Sequence, residues 1–344
     1  MSSTQILSLV VPSYNGSATV FETLQNLVAQ RLLDGWTLEV IVSDDCSSDD
    51  TCAEVERILD SRVQLWRNEC NLGYPGNLNR ALSRATGEIV VLFGQDDLMA
   101  EDYLRKILEV FQENDEVGAI TRLYFAYDDD VDKPVRYKKI PSSWETRPTT
   151  YSIESSYDDL RLIFSTLDQL SGLAFRRSEL RIPFHKDVFP CHVYPFAEIL
   201  SRKRVALIPI YAVAVRTWTS QCRHTSWIYD KSPVQSWIDL FESIFNLPTH
   251  VNFRDYMIRN FCAFNSVGLL QIRNYATKPF RYMLREIRIM VCRRPNNLWD
   301  PIFLLVAAAC IVIPPPLLRR VVDLFKREVS SKTVPSIIFV PSGM

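Results

Sequence analysis

The sequence lacks the motifs that mark several common classes of protein. Its eight cysteines are scattered with no close C-x-x-C pair, so they indicate neither a zinc ribbon nor a small disulfide scaffold. It has no G-x-G-x-x-G motif and no P-loop, which argues against dinucleotide redox chemistry and nucleoside triphosphate hydrolysis. The stretch 1–5 is polar and uncharged, so we expect no signal peptide. The cysteines are therefore expected to be free thiols in a reducing cytoplasm.

The sequence also lacks an uninterrupted apolar run of the roughly 20 residues that a membrane-spanning helix needs. Residues 301–318 are eighteen residues without a charge, but three prolines at 314–316 interrupt them. Arg319, Arg320, Lys326 and Arg327 follow, interleaved with apolar side chains. A basic amphipathic segment beside an apolar one is typical of an interfacial membrane anchor. The alternative is a buried core helix with a solvated basic face; we favour membrane association of 301–327.

Charge is distributed unevenly along the 344 residues, although the net charge is only −1. Residues 1–200 hold 19 Lys and Arg against 32 Asp and Glu, a net charge of −13. Residues 201–344 hold 20 against 8, a net charge of +12. An acidic front and a basic rear indicate two surfaces with different partners.

Short apolar runs alternate with helical patterns through the first 215 residues. The runs at 6–11, 38–42, 63–66, 89–93 and 117–124 are strand-like, and stretches of about ten residues with helical spacing separate them. This order predicts βαβ units and a mostly parallel sheet flanked by helices. Strands at 172–175 and 205–215 complete this first unit. Beyond Ser232 the pattern becomes helical, so we predict one domain over 1–220 and a helical C-terminal region over 221–344.

Polar side chains follow three of the predicted strands where each strand ends. They are Pro12 to Asn15, then Asp44 with Asp45, and finally Gln95 with Asp96 and Asp97. Ligands of open α/β sheets bind beyond the carboxyl ends of the strands, so we expect these groups to share one crevice. Adjacent carboxylates repel each other unless a cation lies beside them, and Mg²⁺ or Mn²⁺ prefers such oxygen ligands. The set is suited to a nucleotide diphosphate, with Tyr14 as an aromatic wall for the base.

Five segments of the chain, in this order, resemble the inverting family 2 glycosyltransferases. The resemblance covers about residues 5–215. The segments are VVPSYNG (10–16), VSDDCSSDDT (42–51), NLGYPGNLNRAL (71–82), ATGEIVVLFGQDD (85–97) and SGLAFRRSEL (171–180).

The resemblance implies the GT-A nucleotide-diphospho-sugar transferase fold and a role for each matching residue. Asp97 would bind Mg²⁺ or Mn²⁺ on the diphosphate, although Gln95 replaces the first residue of the usual metal signature. Arg216, which follows the last strand, is a candidate to close over the diphosphate or the acceptor, with a structural role as the alternative. The nucleotide-sugar-binding residues would be Pro12, Tyr14, Asn15, Asp44, Asp45, Asn79, Asp96 and Arg216.

The chain departs from the family pattern at the position of the catalytic base. An inverting transfer needs a base that removes the acceptor hydroxyl proton while that oxygen attacks the anomeric carbon. Family members place a carboxylate about ten residues before the turn matching 201–204, but residues 190–195 contain none. His192 is the best-placed substitute, because its ordinary pKa of about 6.5 suits a base near neutrality. Asp187 and Glu198 are the alternatives.

These observations predict a glycosyltransferase that moves a sugar from a UDP-, dTDP- or GDP-sugar to an acceptor hydroxyl. The acceptor is expected to be a lipid-linked glycan in surface polysaccharide biosynthesis of the O-antigen or capsule type. We expect a peripheral or monotopic protein at the cytoplasmic face of the inner membrane, with no nucleic-acid partner. A non-catalytic nucleotide-sugar-binding protein is the alternative. A sugar nucleotidyltransferase is less favoured, since Val10 to Gly16 carries no Lys or Arg.

Overall fold

The computed structural model describes residues 4–139, 147–219, 225–325 and 337–343. Within these ranges the chain divides into two compact units. The first contains the residues up to 155, residues 162–217 and the segment 337–343. The second contains residues 156–161 and the part from 218 to 325. The predicted domain boundary at 220/221 lies in 220–224, outside the described residues, and stays a prediction.

The first unit is built on a ten-stranded sheet. Seven of the ten strands overlap the runs that the sequence predicts, and the short strands β5, β7 and β8 are additional. The strands are β1 (Gln5–Ser13), β2 (Trp36–Asp44), β3 (Val63–Arg67), β4 (Ile89–Leu92), β5 (Leu98–Met99), β6 (Val117–Tyr127), β7 (Pro134–Tyr137), β8 (Thr149–Tyr151), β9 (Ala174–Arg176) and β10 (Arg204–Arg216).

The strand order is β3-β2-β1-β4-β9-β6-β10-β5, with β7 beside β6 and β8 beside β10. Strands β1, β2, β3 and β4 are mutually parallel, and β6 is parallel to β10. Strand β9 is antiparallel to both of its neighbours, β4 and β6. The mostly parallel mixed sheet predicted from the sequence is therefore confirmed. The ends of β1, β2 and β4 lie side by side, since β1 pairs with both of the others.

Helices of the first unit pack against the sheet through apolar stripes. They are α1 (Val20–Val28), α2 (Thr51–Glu56), α3 (Gly73–Leu82), α4 (Tyr103–Glu113) and, after α5 (Tyr157–Ser165), α6 (Val193–Leu200). Helix α4 shows why these segments are helical, because its buried residues recur at the spacing of one helix face, from Tyr103 through Ile107 to Phe111. The strands they cover are buried on both sides, as is usual for a parallel sheet.

The segment 337–343, far along the chain, also belongs to the first unit. Phe339 packs edge-on against Phe125 of β6, with ring centroids 5.1 Å apart. The backbone N–H of Glu101 donates to Val340 O at 2.8 Å, and Ala100 pairs with Pro341. From α1, Asn26 Nδ2 donates to Ser342 O at 3.0 Å. The predicted helical region 221–344 includes this segment, whereas its contacts place it in the first unit.

The second unit is helical. Its helices are α7 (Pro233–Ile244), α8 (Val251–Phe264), α9 (Ser266–Tyr275), α10 (Pro279–Arg293), α11 (Pro301–Val312) and α12 (Pro315–Phe325), together with the first turn of α5. A fully buried carboxylate, Glu286 on α10, accepts hydrogen bonds from Ser232 Oγ at 2.6 Å and Val234 N at 3.2 Å, which fixes the start of α7. The helical C-terminal region predicted from the sequence is present.

The apolar segment near residue 301 forms two short helices, α11 and α12, that the prolines at 314–316 separate. Within the described ranges, the longest apolar helical stretch falls short of what is needed to cross a membrane. Several apolar side chains of α11 are strongly exposed, including Ile302, Leu305 and Val312 at 68%, 71% and 77%. Lys326 and Arg327 lie outside the described residues.

Candidate functional site

The loops after β1, β2 and β4 converge at the carboxyl edge of the sheet. Among the described residues, three non-glycine residues have positive φ, and two of them, Asn15 and Cys46, lie in the first two of these loops. Such conformations concentrate at functional sites, where the surrounding contacts hold them. Tyr14 is 39% exposed beyond the end of β1, and Pro12 is partly buried within it. The Tyr14 ring is therefore accessible at the carboxyl edge of the sheet, where the sequence predicts it.

Gln95 joins the β1 loop to the β4 loop. Its Oε1 accepts from Ser13 Oγ at 2.6 Å and from the Tyr14 backbone N–H at 2.9 Å, and its Nε2 donates to Tyr14 O at 3.0 Å. A Cβ at Gly16 would lie only 2.2 Å from Gln95 Oε1, so a side chain there would displace the Gln95 amide from these contacts. Gln95 thus fixes the β1 loop through hydrogen bonds of both its amide oxygen and its amide nitrogen.

Asp44 and Asp45 are both buried, but their hydrogen bonds serve different loops. Asp44 accepts from the backbone N–H and the hydroxyl of Ser47 within its own loop, and Arg67 Nε lies 3.7 Å from its Oδ2. Asp45 Oδ1 accepts from Leu72 N at 2.8 Å and from Asn68 Nδ2 at 3.1 Å. Both bonds of Asp45 use the same oxygen, so of the two acids Asp45 is the better placed to accept from a ligand through Oδ2.

Two asparagines of α3 fix that helix against the edge. Asn77 is buried and donates to Ser43 O at 2.8 Å, where β2 ends. Asn79, which the resemblance assigns to the donor site, exchanges two hydrogen bonds with the backbone of Phe184, at 2.8 and 2.9 Å. These contacts make Asn79 an anchor of the loop before α6. Asn77 is not among the site residues predicted from the sequence, because its only signal there is an asparagine inside a helical pattern.

Asp97 is buried behind the crevice and held on both carboxylate oxygens. Ser171 Oγ donates to Oδ2, and the backbone N–H of Arg216 donates to Oδ1 at 3.2 Å. Burial and, after it, the adjacent Asp96 carboxylate together raise the pKa of Asp97 to about 8. The Arg216 guanidinium lies over the Tyr127 ring and pairs with Glu22 of α1 at 2.6 Å. Arg216 therefore links β10 and α1 to the β4 loop.

Gly94 lies in a cradle of oxygen atoms that a side chain would fill. A Cβ there would stand 3.1 Å from Asp96 Oδ1, 3.1 Å from Ser171 Oγ and 3.2 Å from Asp97 Oδ2. Oxygen donors and an acid whose pKa is raised by burial and a second acid fit a hard divalent cation, because its charge would compensate both carboxylates. No cluster of three His, Cys, Asp or Glu residues occurs within the described ranges. Asp96 and Asp97 would thus need ligand oxygens beside them to hold the ion.

Arg122 of β6 is a fully buried cation that the sequence analysis did not identify. Its two terminal nitrogens donate to Thr166 O at 2.9 Å and Gln169 O at 2.8 Å. These carbonyls belong to the loop that leads to Ser171, the residue that bonds Asp97. Arg122 therefore shapes the loop that supports the candidate metal ligand. An arginine inside an otherwise strand-like run was its only signal.

His192 lies at the start of α6 with both ring nitrogens in hydrogen bonds. Its Nε2 is 2.8 Å from Leu167 O, which can only accept, so Nε2 carries the proton. Its Nδ1, 3.0 Å from the Tyr74 hydroxyl, is then the acceptor. Burial lowers the pKa of His192 to about 4, so the ring is neutral near pH 7 but is a weak base. Any proton reaching Nδ1 would pass through the Tyr74 hydroxyl.

The two alternative bases have different surroundings. Asp187 is 4% exposed, in the same loop as His192, and its Oδ2 lies 3.8 Å from His185 Nδ1. Glu198 is paired with Arg202 at 2.7 Å, and Arg202 also contacts Glu179. Because β9 runs antiparallel to β4, the turn containing Glu179 lies at the amino end of β4, away from Asp97. Of the three candidate bases, Glu198 is therefore the least favourably placed to accept a proton near Asp97.

Comparison with known sequences identifies the first half of the chain. Residues 8–177 match the model of glycosyl transferase family 2. The succinoglycan biosynthesis protein ExoO of Rhizobium meliloti is 36% identical over 103 residues, which are 30% of this chain and 29% of that protein. The UDP-Glc:alpha-D-GlcNAc-diphosphoundecaprenol beta-1,3-glucosyltransferase WfgD of Escherichia coli is 31% identical over 109 residues, 32% of this chain and 42% of that protein. The matches thus span less than half of either relative.

Comparison with solved structures extends over nearly the whole chain. The S. aureus TarS fragment 1–349, in complex with UDP-GlcNAc, superposes with a TM-score of 0.62 at 15% sequence identity. The superposition covers 96% of this chain and 91% of that one. At this identity the likeness shows the fold alone. The GT-A fold predicted from the sequence is thereby confirmed.

Proposed function

Because residues 8–177 belong to glycosyltransferase family 2, we propose that the chain transfers a sugar from a nucleotide-diphosphate donor to an acceptor hydroxyl with inversion. The observation that carries this proposal is that three strand-end loops lie together at the carboxyl edge of the sheet, and that one of them contains the buried Asp97. One loop offers an aromatic ring, one a buried carboxylate and one a pair of acids. Together they match the base, the ribose and the diphosphate of a UDP-, dTDP- or GDP-sugar.

On the donor side, the nucleobase lies against Pro12 and Tyr14, and Asp45 Oδ2 accepts a base N–H. Asn15 accepts from the Ser48 backbone N–H at 2.9 Å, which fixes the β1 loop around the ribose. Asp96 and Asp97 would hold Mg²⁺ or Mn²⁺ above Gly94. When bound, the ion neutralises charge on the leaving diphosphate. Ser171 and the Arg216 N–H orient Asp97 for this task.

We propose that the catalytic base lies in the loop that contains both Asp187 and His192. His192 takes the acceptor proton through the Tyr74 hydroxyl: the tyrosine oxygen receives that proton and passes its own to His192 Nδ1. Asp187 is the alternative, as a carboxylate in the same loop. Comparing His192→Gln, Asp187→Asn and Glu198→Gln separates them, since only loss of the base lowers kcat strongly while donor affinity is retained. Full activity of His192→Gln would remove that residue from the mechanism.

The acceptor is proposed to be a lipid-linked glycan of surface polysaccharide assembly, at the cytoplasmic face of the inner membrane. WfgD acts, by its name, on a sugar carried on diphosphoundecaprenol. The exposed side chains Ile302, Leu305 and Val312 of α11, followed by Arg319 and Arg320, fit an interface that is apolar inside and anionic at its surface. We therefore propose that α11 and α12 rest on the membrane.

A screen of nucleotide sugars by thermal unfolding, with and without Mn²⁺, tests the donor proposal. The correct donor stabilises the folded chain, and more so with the cation present. Incubation with that donor and a polyprenyl-diphosphate saccharide, followed by NMR of the product, gives the anomeric configuration. Retention of configuration would refute inversion, and no stabilisation by any nucleotide sugar would refute the donor site.

A non-catalytic nucleotide-sugar-binding protein is the second candidate. The absence of a carboxylate at 190–195 and the double hydrogen bonding of His192 favour it. Donor binding without turnover on any lipid-linked saccharide would support this reading. Turnover that depends on Asp97 would exclude it.

A further inference from the structure

The helical unit carries an open pocket of about 310 Å³ on one side of α8. This volume lies at the lower end of the range of small-molecule sites in proteins. All of its lining residues belong to the second unit, including the first residue of α5. The residues that line this pocket, here called the α8 pocket, are Tyr157, Asn252, Asp255, Tyr256, Arg259 and Asn260.

Two tyrosine rings form the apolar part of the α8 pocket, and both are held in place. Their centroids are 5.4 Å apart and their planes are inclined at 49°. The Tyr256 hydroxyl donates to Asp158 Oδ1 at 2.7 Å. The Tyr157 ring packs edge-on against the buried Phe253 at 5.5 Å. Aromatic rings fixed in this way offer contact area to a ligand at a small cost in conformational entropy.

The remaining lining groups are planar and polar, and their charges balance. Asp255 and Arg259 contribute one charge of each sign, and Asn252 and Asn260 contribute two amides. The Asn260 Nδ2 donates to Tyr256 O at 3.1 Å, which leaves its Oδ1 to accept. Arg254 Nε donates to Asp255 Oδ1 at 3.1 Å, which fixes that carboxylate at the rim. The six lining residues therefore combine fixed rings with donors and acceptors and carry no net charge among them.

We propose that the α8 pocket binds a neutral saccharide, as a second binding site for the acceptor glycan. A pyranose ring has an apolar C–H face that packs on an aromatic ring, and hydroxyls that pair with amide, carboxylate and guanidinium groups. A phosphate or polyanionic ligand needs an excess of cations, which this pocket lacks. A purely apolar ligand would leave its polar lining unpaired, at a cost in affinity. The assignment of the saccharide as acceptor rests on the proposed glycosyl transfer.

The full chain, applied to an array of neutral and anionic glycans, tests the proposal directly. We expect retention of neutral hexose or N-acetylhexosamine oligosaccharides, and a loss of at least about tenfold in affinity in Tyr256→Ala. Tyr256→Phe keeps the ring and is expected to bind more strongly than Tyr256→Ala. The control Tyr282→Ala removes a tyrosine of the same unit outside the pocket and should bind as the parent chain does.

The two proposals fail in different ways. Donor-induced stabilisation in Tyr256→Ala equal to that of the parent chain shows that the donor site in its sheet unit is intact, and a helical circular dichroism signal equal to the parent's shows that its helical unit is folded. If the chain binds neutral glycans on the array but transfers no sugar to them, the α8 pocket remains a saccharide site and the transferase proposal is refuted. Three results would refute the saccharide proposal while leaving the transferase proposal in place, provided that the chain still transfers sugar. They are no binding of neutral glycans, a preference for anionic glycans, and equal glycan binding by the parent chain and Tyr256→Ala.

Discussion

The two units of the chain each contain a cluster of residues that departs from the usual rule of burial, and the two clusters differ in kind. The sheet unit buries charge at its carboxyl edge, where Asp44, Asp45, Asp97 and Arg122 are at most 2% exposed. The helical unit exposes a cluster of apolar side chains on α11, including Leu305 and Val312. Both arrangements cost free energy in water unless something compensates them. The difference corresponds to the two contacts proposed above: a cation and phosphates at the edge of the sheet unit, and an apolar surface along α11 of the helical unit.

Removing the buried charge of Asp97 is the strongest test of the first half of this comparison. Asp97→Asn keeps the shape but loses a cation ligand, so we expect turnover to fall by at least about a thousandfold, which corresponds to roughly 4 kcal/mol. Steady-state kinetics with varied Mn²⁺ measures the effect. Asp129→Asn, on an exposed loop, is the control and should retain parental activity. Wild-type turnover by Asp97→Asn would show that its charge serves no cation.

The buried His192 predicts that the free energy of unfolding depends on pH. Its pKa is lowered by burial to about 4, whereas in an unfolded chain it is about 6.5. The unfolded state therefore binds the extra proton first, and stability is full above pH 6.5 and declines as the pH falls towards 4. The contribution is roughly 3 kcal/mol over that window.

Denaturant unfolding between pH 7.5 and 5 measures this dependence. His192→Gln should flatten part of the slope, and His185→Gln should keep it, because it leaves His192 in place. An unchanged slope in His192→Gln would show that the ring is not held neutral in the folded state.

The segment 337–343 tests how far the sheet unit relies on ordinary packing. Phe339 contacts the Phe125 ring, so Phe339→Ala should lower the free energy of unfolding by about 2 kcal/mol. Ile338→Ala is the matched control, since Ile338 is 92% exposed and its loss should change stability by less than about 0.5 kcal/mol. Equal effects of the two substitutions would mean that Phe339 is not packed on β6. Thermal or chemical unfolding of both variants decides.

The exposed apolar residues of α11 test the second half of the comparison. Leu305→Glu combined with Val312→Glu should weaken binding to vesicles containing about one quarter phosphatidylglycerol by at least tenfold. It should leave the unfolding free energy nearly unchanged, because both side chains are already in water. Leu59→Glu, at 97% exposure in the other unit, is the control. Vesicle sedimentation that is the same for all three proteins would refute the membrane proposal.

The sequence predicted those parts of the fold that depend on local pattern. Continuous apolar runs identified β1, β2 and β4, because strands buried on both faces leave an unbroken signal. The strand-end acids followed from the same pattern and from the order of the five segments. Strand β5 was missed because it has only two residues, and 337–343 because a short apolar stretch gives no indication of its partner.

Contacts between distant positions could not be predicted in the same way. Tyr74 and His192 are 118 residues apart, and nothing in either segment indicates that the hydroxyl would occupy Nδ1. The ion pair of Arg216 with Glu22 and the support of Ser171 for Asp97 are of the same kind. A residue type suggests a chemical role, but burial and hydrogen bonds decide whether the group is available for it.

The position of 337–343 within the sheet unit has a consequence for biosynthesis. About 120 residues, most of them in the helical unit, separate this segment from the end of β10. At ribosomal speeds of about 5–20 residues per second, the sheet unit waits on the order of ten seconds for its last contacts. During that interval α1 and β6 expose the surfaces that Ser342 and Phe339 later cover. A nascent chain is therefore open to chaperones at the side of the sheet next to Asp97.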